Sequence, residues 1–397
     1  MSKPNKTTPN VPTLRVKAYT LKWSKYSLSD FVTRITRRNK NNESSLPLTI
    51  SAQYGLVDQI TFFNKTVASA DLSGYYLLYN GDFAYNKSYS TDYAWGAVKR
   101  LDGYEKGCLS SLYFVFRPKD NVDSDYLTHY FETKKWHKGI SDIAGEGARN
   151  HGLLNMAVDD YFATKHFLPA IDEQRKIAEF LNKVEKRIET QNKIISQYET
   201  LIKGISKRLL YTFDTNSKVK LSSILVEYNV KTTVNHEHPI LSSTMHGIYV
   251  QSDYFNKQAA SEETIGYKKV PYGYCTYRSM SDTGEFRFNL QKIIDMGIVS
   301  PAYPVFTSKC CNIDFIVFYL NNSSYFKRQL LEAKEGGTRF ALSYSKLINL
   351  VIPQIPIVTQ DQTVAMYYTF LRKVELEKRI LENLKEQKKY LLSKMFI

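Results

Sequence analysis

Cysteine is scarce, with four in 397 residues: Cys108, Cys275, Cys310 and Cys311. No CxxC occurs, and an adjacent pair bridges poorly. Neither a disulfide framework nor a thiolate metal site is expected, and the usage fits a reducing, cytoplasmic compartment. Long apolar runs are absent too. No stretch reaches about 18 apolar residues, so no membrane span is expected. The opening MSKPNKTTPNVPT is polar and has no apolar core, so a secretory signal is not expected there. The motifs of nucleotide chemistry are missing: there is no GxxxxGK[ST], no Asn/Asp-Pro-Pro-aromatic motif and no Gly-rich loop for a methyl donor. GEGAR (145–149) is too short and lacks the strand–glycine–helix setting. His236 and His238 bring no Cys or carboxylate set at zinc spacing, so no metal and no cofactor is expected. Asp123 or Asp125 followed by Glu132-Thr133-Lys134 has a nuclease-like spacing, but YLTHYFETKKW reads as an amphipathic helix, so no catalytic residue is assigned.

Negative charge is in the minority. The chain carries 54 Lys/Arg against 39 Asp/Glu, a net +15. The excess is spread along it: 22 against 16 over residues 1–167, 9 against 6 over 168–213, 15 against 12 over 214–351, and 8 against 5 over 352–397. Charge distributed in this way points to a polyanionic partner rather than a basic tail. The length favours two or more domains. Tyrosine is abundant at 30 copies; it fills strands and also lines binding surfaces.

The chain repeats itself at an offset near 190. LPLTISAQYGLV (46–57) is echoed by HPILSSTMHGIYV (238–250), and NGDFAYNKSYS (80–90) by YGYCTYRSMS (272–281). KGCLSSLYFVF (106–116) is echoed by MGIVSPAYPVF (296–306), and GEGARN (145–150) by EGGTRF (335–340). A long helical segment follows each copy. In this reading Gln174 near the start of the first segment corresponds to Gln362 in the second. The copies are rich in short Tyr/Phe/Val/Ile runs broken by turn residues, which predicts β-rich mixed domains. Some helix is expected within them, around Tyr126–Lys135 and Tyr325–Lys334.

The long segments show a coiled-coil seam. Ile177, Leu181, Val184, Ile188, Gln191, Ile195, Tyr198, Ile202, Ile205 and Leu209 alternate at spacings of four and three, with Gln191 the polar exception. Tyr367, Phe370, Val374, Leu381, Leu384, Leu391 and Met395 follow the same spacing, interrupted by Glu377 and Lys388. Antiparallel pairing within the chain would set Ile177 against Met395 and Leu209 against Tyr367. The expected class is α+β, organised as a domain (1–167), a helix (168–213), a second similar domain (214–351) and a second helix (352–397), with pseudo-two-fold symmetry. Such a rod would act as a spacer, and its symmetry suits duplex DNA.

These features resemble the specificity (S) subunit of Type I restriction–modification systems. The resemblance rests on LPAIDEQRKIAEFLNKVEKRIE after the first domain, the close LLSKMF, and the opening Pro12, Leu14, Arg15, Trp23 and Leu28, with GDFAYNK and GARN inside the domains. It covers nearly the whole chain; the second helix start, IPIVTQDQTVAMYY, is degraded. It implies two target-recognition domains, each reading one part of a split sequence in double-stranded DNA, with the helices as a ruler. It also implies no catalysis in this chain, two methyltransferase (M) subunits as partners, and restriction (R) subunits in the full complex. The charged residues beside the seam would be their dock.

Base reading needs side chains with paired donors and acceptors, held on loops. The recurring polar loops supply Ser51, Gln53, Tyr54, Asn86, Lys87, Ser88, Arg149 and Asn150 in the first domain. In the second they supply Ser243, Thr244, His246, Tyr277, Arg278, Ser279 and Arg339. Arg149 and Arg339 could equally anchor a Gly-rich turn, and Lys87 and Arg278 could touch phosphates only. Two other readings compete: a fused nuclease or methyltransferase, and a coiled-coil scaffold with no DNA role.

Overall fold

The fold, a computed structural model, is described for residues 10–65, 67–90, 93–144, 152–254, 263–333 and 340–397. The chain forms two compact units. Unit 1 is Met1–Asn192 with Ile380–Ile397, and unit 2 is Lys193–Arg379.

Unit 1 begins with β1 (Ser24–Ser27), α1 (Leu28–Phe31), β2 (Val32–Arg34), the hairpin β3 (Leu48–Ser51) and β4 (Gly55–Asp58), and α2 (Gln59–Phe63). Then come β5 (Tyr76–Tyr79), β6 (Phe83–Asn86), β7 (Ala97–Arg100), β8 (Lys106–Leu109) and β9 (Phe114–Pro118). The helices α3 (Ser124–Phe131), α4 (His137–Ile143) and α5 (Val158–Ala163) and the strand β10 (Lys165–Leu168) lead into the long α6 (Ile171–Phe213). Unit 2 follows with β11 (Lys218–Lys220), β12 (Leu225–Glu227), the hairpin β13 (Leu241–Thr244) and β14 (Gly247–Val250), α7 (Gln251–Tyr254) and β15 (Lys268–Pro271). Next are β16 (Cys275–Thr276), β17 (Met280–Ser281), β18 (Asn289–Leu290), β19 (Met296–Val299) and β20 (Val305–Ser308). The helices α8 (Ile313–Asn322) and α9 (Ser324–Ala333), β21 (Phe340–Ala341), α10 (Tyr344–Leu347) and β22 (Val351–Pro353) precede the long α11 (Ile357–Met395).

The two units share one topology. A four-stranded sheet runs β2-β9-β6-β7 in unit 1 and β12-β20-β16-β18 in unit 2. The pairs β3-β4, β5-β8 and β1-β10 recur as β13-β14, β15-β19 and β11-β22, all antiparallel. The repeat seen in the sequence is therefore a repeat of strand order. Its last echo, GEGARN with EGGTRF, lies outside the described residues except for Phe340.

The short apolar runs have a reason. In β6, Phe83 and Tyr85 enter the main core with Phe116, Phe131 and Tyr161, while Ala84 enters a second core with Leu48, Leu78 and Val115. In unit 2, Phe306 enters the main core and its neighbour Val305 joins Leu241, Val270 and Val299. Each central strand is covered on both faces, so the hydrophobic pattern is continuous rather than alternating. The Gly in KGCL and MGIV has a matching cause. A Cβ on Gly107 would stand 2.5 Å from Leu48 Cδ1, and one on Gly297 would stand 2.4 Å from Leu241 Cδ1.

The long helices begin later than the sequence boundaries, because Leu168 still belongs to β10 and Val351–Pro353 to β22. In unit 1, Ile177, Leu181 and Val184 share a core with Leu391, Met395 and Phe396. In unit 2, Leu209, Leu210 and Phe213 share one with Val364 and Tyr367. Lys378 Nζ lies 2.7 Å from Glu199 in unit 2, and Lys388 Nζ lies 2.5 Å from Glu185 in unit 1. Partner numbers fall on one helix as they rise on the other, so the helices pair antiparallel within each unit. Ile177 and Met395 belong to one core, and Leu209 and Tyr367 both pack against the other. Ile195, Ile202, Val374, Leu381 and Leu384 are also buried, and Ile188, Tyr198, Ile205 and Phe370 are half-buried. Gln191 and Glu377 are buried in the seam. Toward the end of α6 the buried stripe moves on by one, to Ser206 and Leu210, because a 3.6-residue helix drifts against a 3.5-residue repeat.

One repeat match is corrected. Gln174 Oε1 accepts from the backbone N–H of Asp123, which precedes α3, and its Nε2 donates to Pro169 O. In unit 2, Gln360 makes the same pair of bonds, to Asn312 N and Ile355 O, while Gln362 is exposed. Gln360, not Gln362, is the counterpart of Gln174, which sets the helix offset at 186. The latch satisfies a backbone N–H at the start of each short helix and ties that helix to a long one. A second tie recurs above it. Asn182 donates to Asp125 at 2.9 Å, and Tyr368, its counterpart, donates to Asp314.

Unit 1 also has its own clamp. Arg15 makes a bidentate pair with Glu173 at 2.7 Å on each arm, and Leu14 N donates to Lys394 O. Trp23 and Leu28 are buried in the main core. Thr359 stands where Glu173 does in the repeat.

Candidate nucleic-acid interface

In unit 1 the β3–β4 turn carries Gln53 and Tyr54, both exposed, and closes on Gly55 at φ +85°, a conformation that favours glycine. Ser51 is half-buried, and its Oγ accepts from Tyr54 N, which shapes the turn. Tyr54 meets Phe62 edge-on at 6.2 Å, and Phe62 meets Phe63 at 5.0 Å. All three rings are exposed, Tyr54 by 71%. Asp58 begins α2, which carries the two phenylalanines. Its carboxyl is held below the usual range, first by the Thr61 hydroxyl and also by the backbone N–H of Ile60. The tip is thus a small aromatic cluster on a fixed base, suited to stacking or wedging.

The second loop begins where β6 ends. Asn86 Oδ1 accepts from Ser88 N, so its acceptor is used inside the loop. Lys87 Nζ sits 4.8 Å from the centre of the Phe114 ring, and Ser88 is exposed. Arg149 and Asn150 lie outside the described residues.

In unit 2, two of the expected readers are structural. Ser243 is buried, accepting from Asn289 Nδ2 and donating to Thr276 O. Tyr277 is fully buried and donates to Leu342 O. Both are corrections: these side chains are spent inside the unit. The repeat explains the second, since Tyr277 falls on Tyr85, which is equally buried, rather than on Asn86. Thr244, Arg278 and Ser279 do lie at the surface or half-buried, and His246 is exposed. Thr244 and Arg278 line one cavity of about 350 Å³ with Met245, Thr283 and Arg287. The enclosed Nε of Arg287 has no hydrogen-bond partner among the described residues. Arg287 was missed in the sequence because it stands outside every echo. Arg339 lies outside the described residues.

The nuclease-like residues have other work. Asp123 caps α3 by accepting from Tyr126 N, and Asp125 pairs with Arg100 at 2.6 Å. Glu132 lies 2.8 Å from Lys388 Nζ. Burial opposes ionisation of Glu132, but His129 and Lys388 outweigh it and hold the carboxyl at about 2. His129, Glu132 and Glu185 bring three potential ligand atoms within 4.8 Å of one another. The Lys388 ammonium touches both carboxylates, so the cluster already contains its cation. Among the described residues, no helix is long and apolar enough to cross a membrane.

No family model matches the sequence. Solved structures do. One, described under complex assembly and conformational transition of the type I R-M system, matches with a TM-score of 0.58 at 15% identity, over 95% of this chain and 99% of the other. The chain has the fold of a type I R-M subunit. An HsdS subunit from Thermoanaerobacter tengcongensis matches with a TM-score of 0.49 at 15% identity, over 94% and 96%. A type I S subunit from M. genitalium matches with a TM-score of 0.49 at 14% identity, over 98% and 99%. The α+β, coiled-coil architecture expected from the sequence is thus the observed one.

Proposed function

We propose that this chain is the DNA-recognition subunit of a type I restriction–modification complex. One observation carries the reading: the same strand order occurs twice, and each copy ends in a long helix that pairs antiparallel with the other. Residues 1–167 and 214–351 act as target-recognition domains, and 168–213 and 352–397 act as the ruler between them. Because the two domains differ in sequence, they read two different half-sites in double-stranded DNA. The contacts come from Gln53, Tyr54, Lys87 and Ser88 in one and from Thr244, His246, Arg278 and Ser279 in the other. The chain performs no catalysis. It directs two adenine-methyltransferase subunits, and in the full complex restriction subunits, to the site in the cytoplasm.

Selection of duplexes from a random pool by the full chain tests this reading. Two short conserved blocks separated by a fixed, unconserved gap are expected, with affinity falling linearly in log–log terms as salt rises. A single block, or no enrichment, would contradict it.

A further inference from the structure

Unit 1 holds a cleft of about 790 Å³ between its recognition fold and the last turns of α11. Lys99 reaches it from β7, Lys134 and Lys135 from the turn after α3, and Lys385 and Lys389 from α11. Three elements distant in the chain therefore bring five ammonium groups to one concavity. Among the described residues, Lys99, Lys134, Lys135 and Lys389 have no carboxylate within ion-pair distance, while Lys385 pairs only with Glu382 in the preceding turn. The acidic groups that approach the cleft are already used: Glu132 and Glu185 hold Lys388. Burial depresses the Lys99 pKa, and an arriving anion would oppose that shift. Gln53, from the tip of the β3–β4 hairpin, lines the same cleft.

The fold does not require this charge. By the helix offset, Glu199 and Lys203 of α6 stand where Lys385 and Lys389 stand in α11. The β-pairing sets Asn289 against Lys99, and the stretch closing α8 reads Asn322-Ser323-Ser324. Unit 2 keeps the scaffold and, of the five lysines, retains only Lys203. A concentration of like charge that packing does not explain costs stability, and an anionic ligand offsets that cost.

We infer that this cleft seats the phosphate backbone of duplex DNA beside the half-site read by unit 1. The inference rests on the DNA-recognition reading and deepens it. The lysines neutralise successive phosphates and carry no sequence information, while Gln53, held next to them, presents its amide to a base edge. The site is asymmetric, so backbone affinity is concentrated on one half of the target.

The test uses the full chain with Lys134, Lys135, Lys385 and Lys389 all changed to Gln, and a second variant with all four changed to Arg. Binding to labelled duplexes, with and without the selected target, is followed across a salt series. The Gln variant is expected to bind every duplex about tenfold or more weakly and to lose about three from the magnitude of the log–log salt slope. Its preference between sequences stays unchanged, and the Arg variant behaves as the parent. Acetylation footprinting of the parent gives a second readout that does not depend on variant folding: DNA should protect Lys134, Lys135 and Lys389. Parent-like affinity and slope in the Gln variant, or no protection while the parent binds DNA, overturns the cleft and leaves the DNA reading intact. A parent that binds no duplex overturns both.

Discussion

Where the short helix of each unit meets the two long helices, the units are joined differently. Unit 1 places His129, Glu132, Glu185 and Lys388 there, with Lys388 2.8 Å and 2.5 Å from the two carboxylates. The corresponding residues of unit 2 are Phe318, Asn321, Leu371 and Ile202, and Phe318 packs on Tyr367 with ring centres 4.7 Å apart. A similar contrast holds one strand away. His166 is buried in unit 1, between the Tyr130 hydroxyl and Thr164 Oγ1, at 2.8 Å from each. Its counterpart by the 186-residue offset is the buried Ile352. What both units keep, the amide latch and the strand order, is what the architecture needs. What differs is free to serve recognition, and unit 1 has kept charge close to its lysine cleft.

The ionic joint should be the easier one to break. Lys388→Met leaves two partly enclosed carboxylates without their cation, and a loss of about 3 kcal/mol is expected in urea unfolding. Installing the other unit's residues together (His129→Phe, Glu132→Asn, Glu185→Leu and Lys388→Ile) should recover most of that loss, because an uncharged, mostly apolar set replaces an ion cluster at little cost. Failure of the fourfold variant to recover would mean that the joints are not interchangeable.

The latch should give the opposite, symmetric result. Gln174→Ala and Gln360→Ala each strand a backbone N–H at a helix start, for an expected loss of about 2 kcal/mol apiece. Thermal unfolding that moved with one substitution only would show the latch to be essential in one unit alone.

Acid gives the smallest contrast. Burial lowers the His166 pKa to about 4, so the folded state disfavours its protonation. Its ordinary value is about 6.5. Stability from the neutral ring is complete above that value and is lost as pH falls from about 6.5 toward 4. Hydrogen exchange around β10 should accelerate over this window after correction for intrinsic rates, while exchange around β22 should not. Equal acceleration in both strands would remove His166 as the cause.

The sequence revealed what periodicity and order encode. A 3.5-residue seam shows itself because apolar residues recur, and the strand echoes kept their order and offset. Three-dimensional bookkeeping was hidden. Gln360 and Gln362 look alike in one dimension, and only the bond to Asn312 N separates them. Ser243 and Tyr277 have the residue types of readers, yet strand geometry turns both inward. The lysine cleft could not be assembled from KKWHK and KEQKK, because those runs meet only after α11 packs against α3 and β7.

The ruler is the central claim, and it can be lengthened. Matched seven-residue insertions, between Asn192 and Lys193 in α6 and between Arg379 and Ile380 in α11, keep the seam in register and each unit whole. They add about 10 Å of helix, which corresponds to about three base pairs. Sequencing of modified adenines in a host carrying the variant complex should return both half-sites unchanged, with the gap longer by about three base pairs. Both half-sites modified across the original gap would contradict the account.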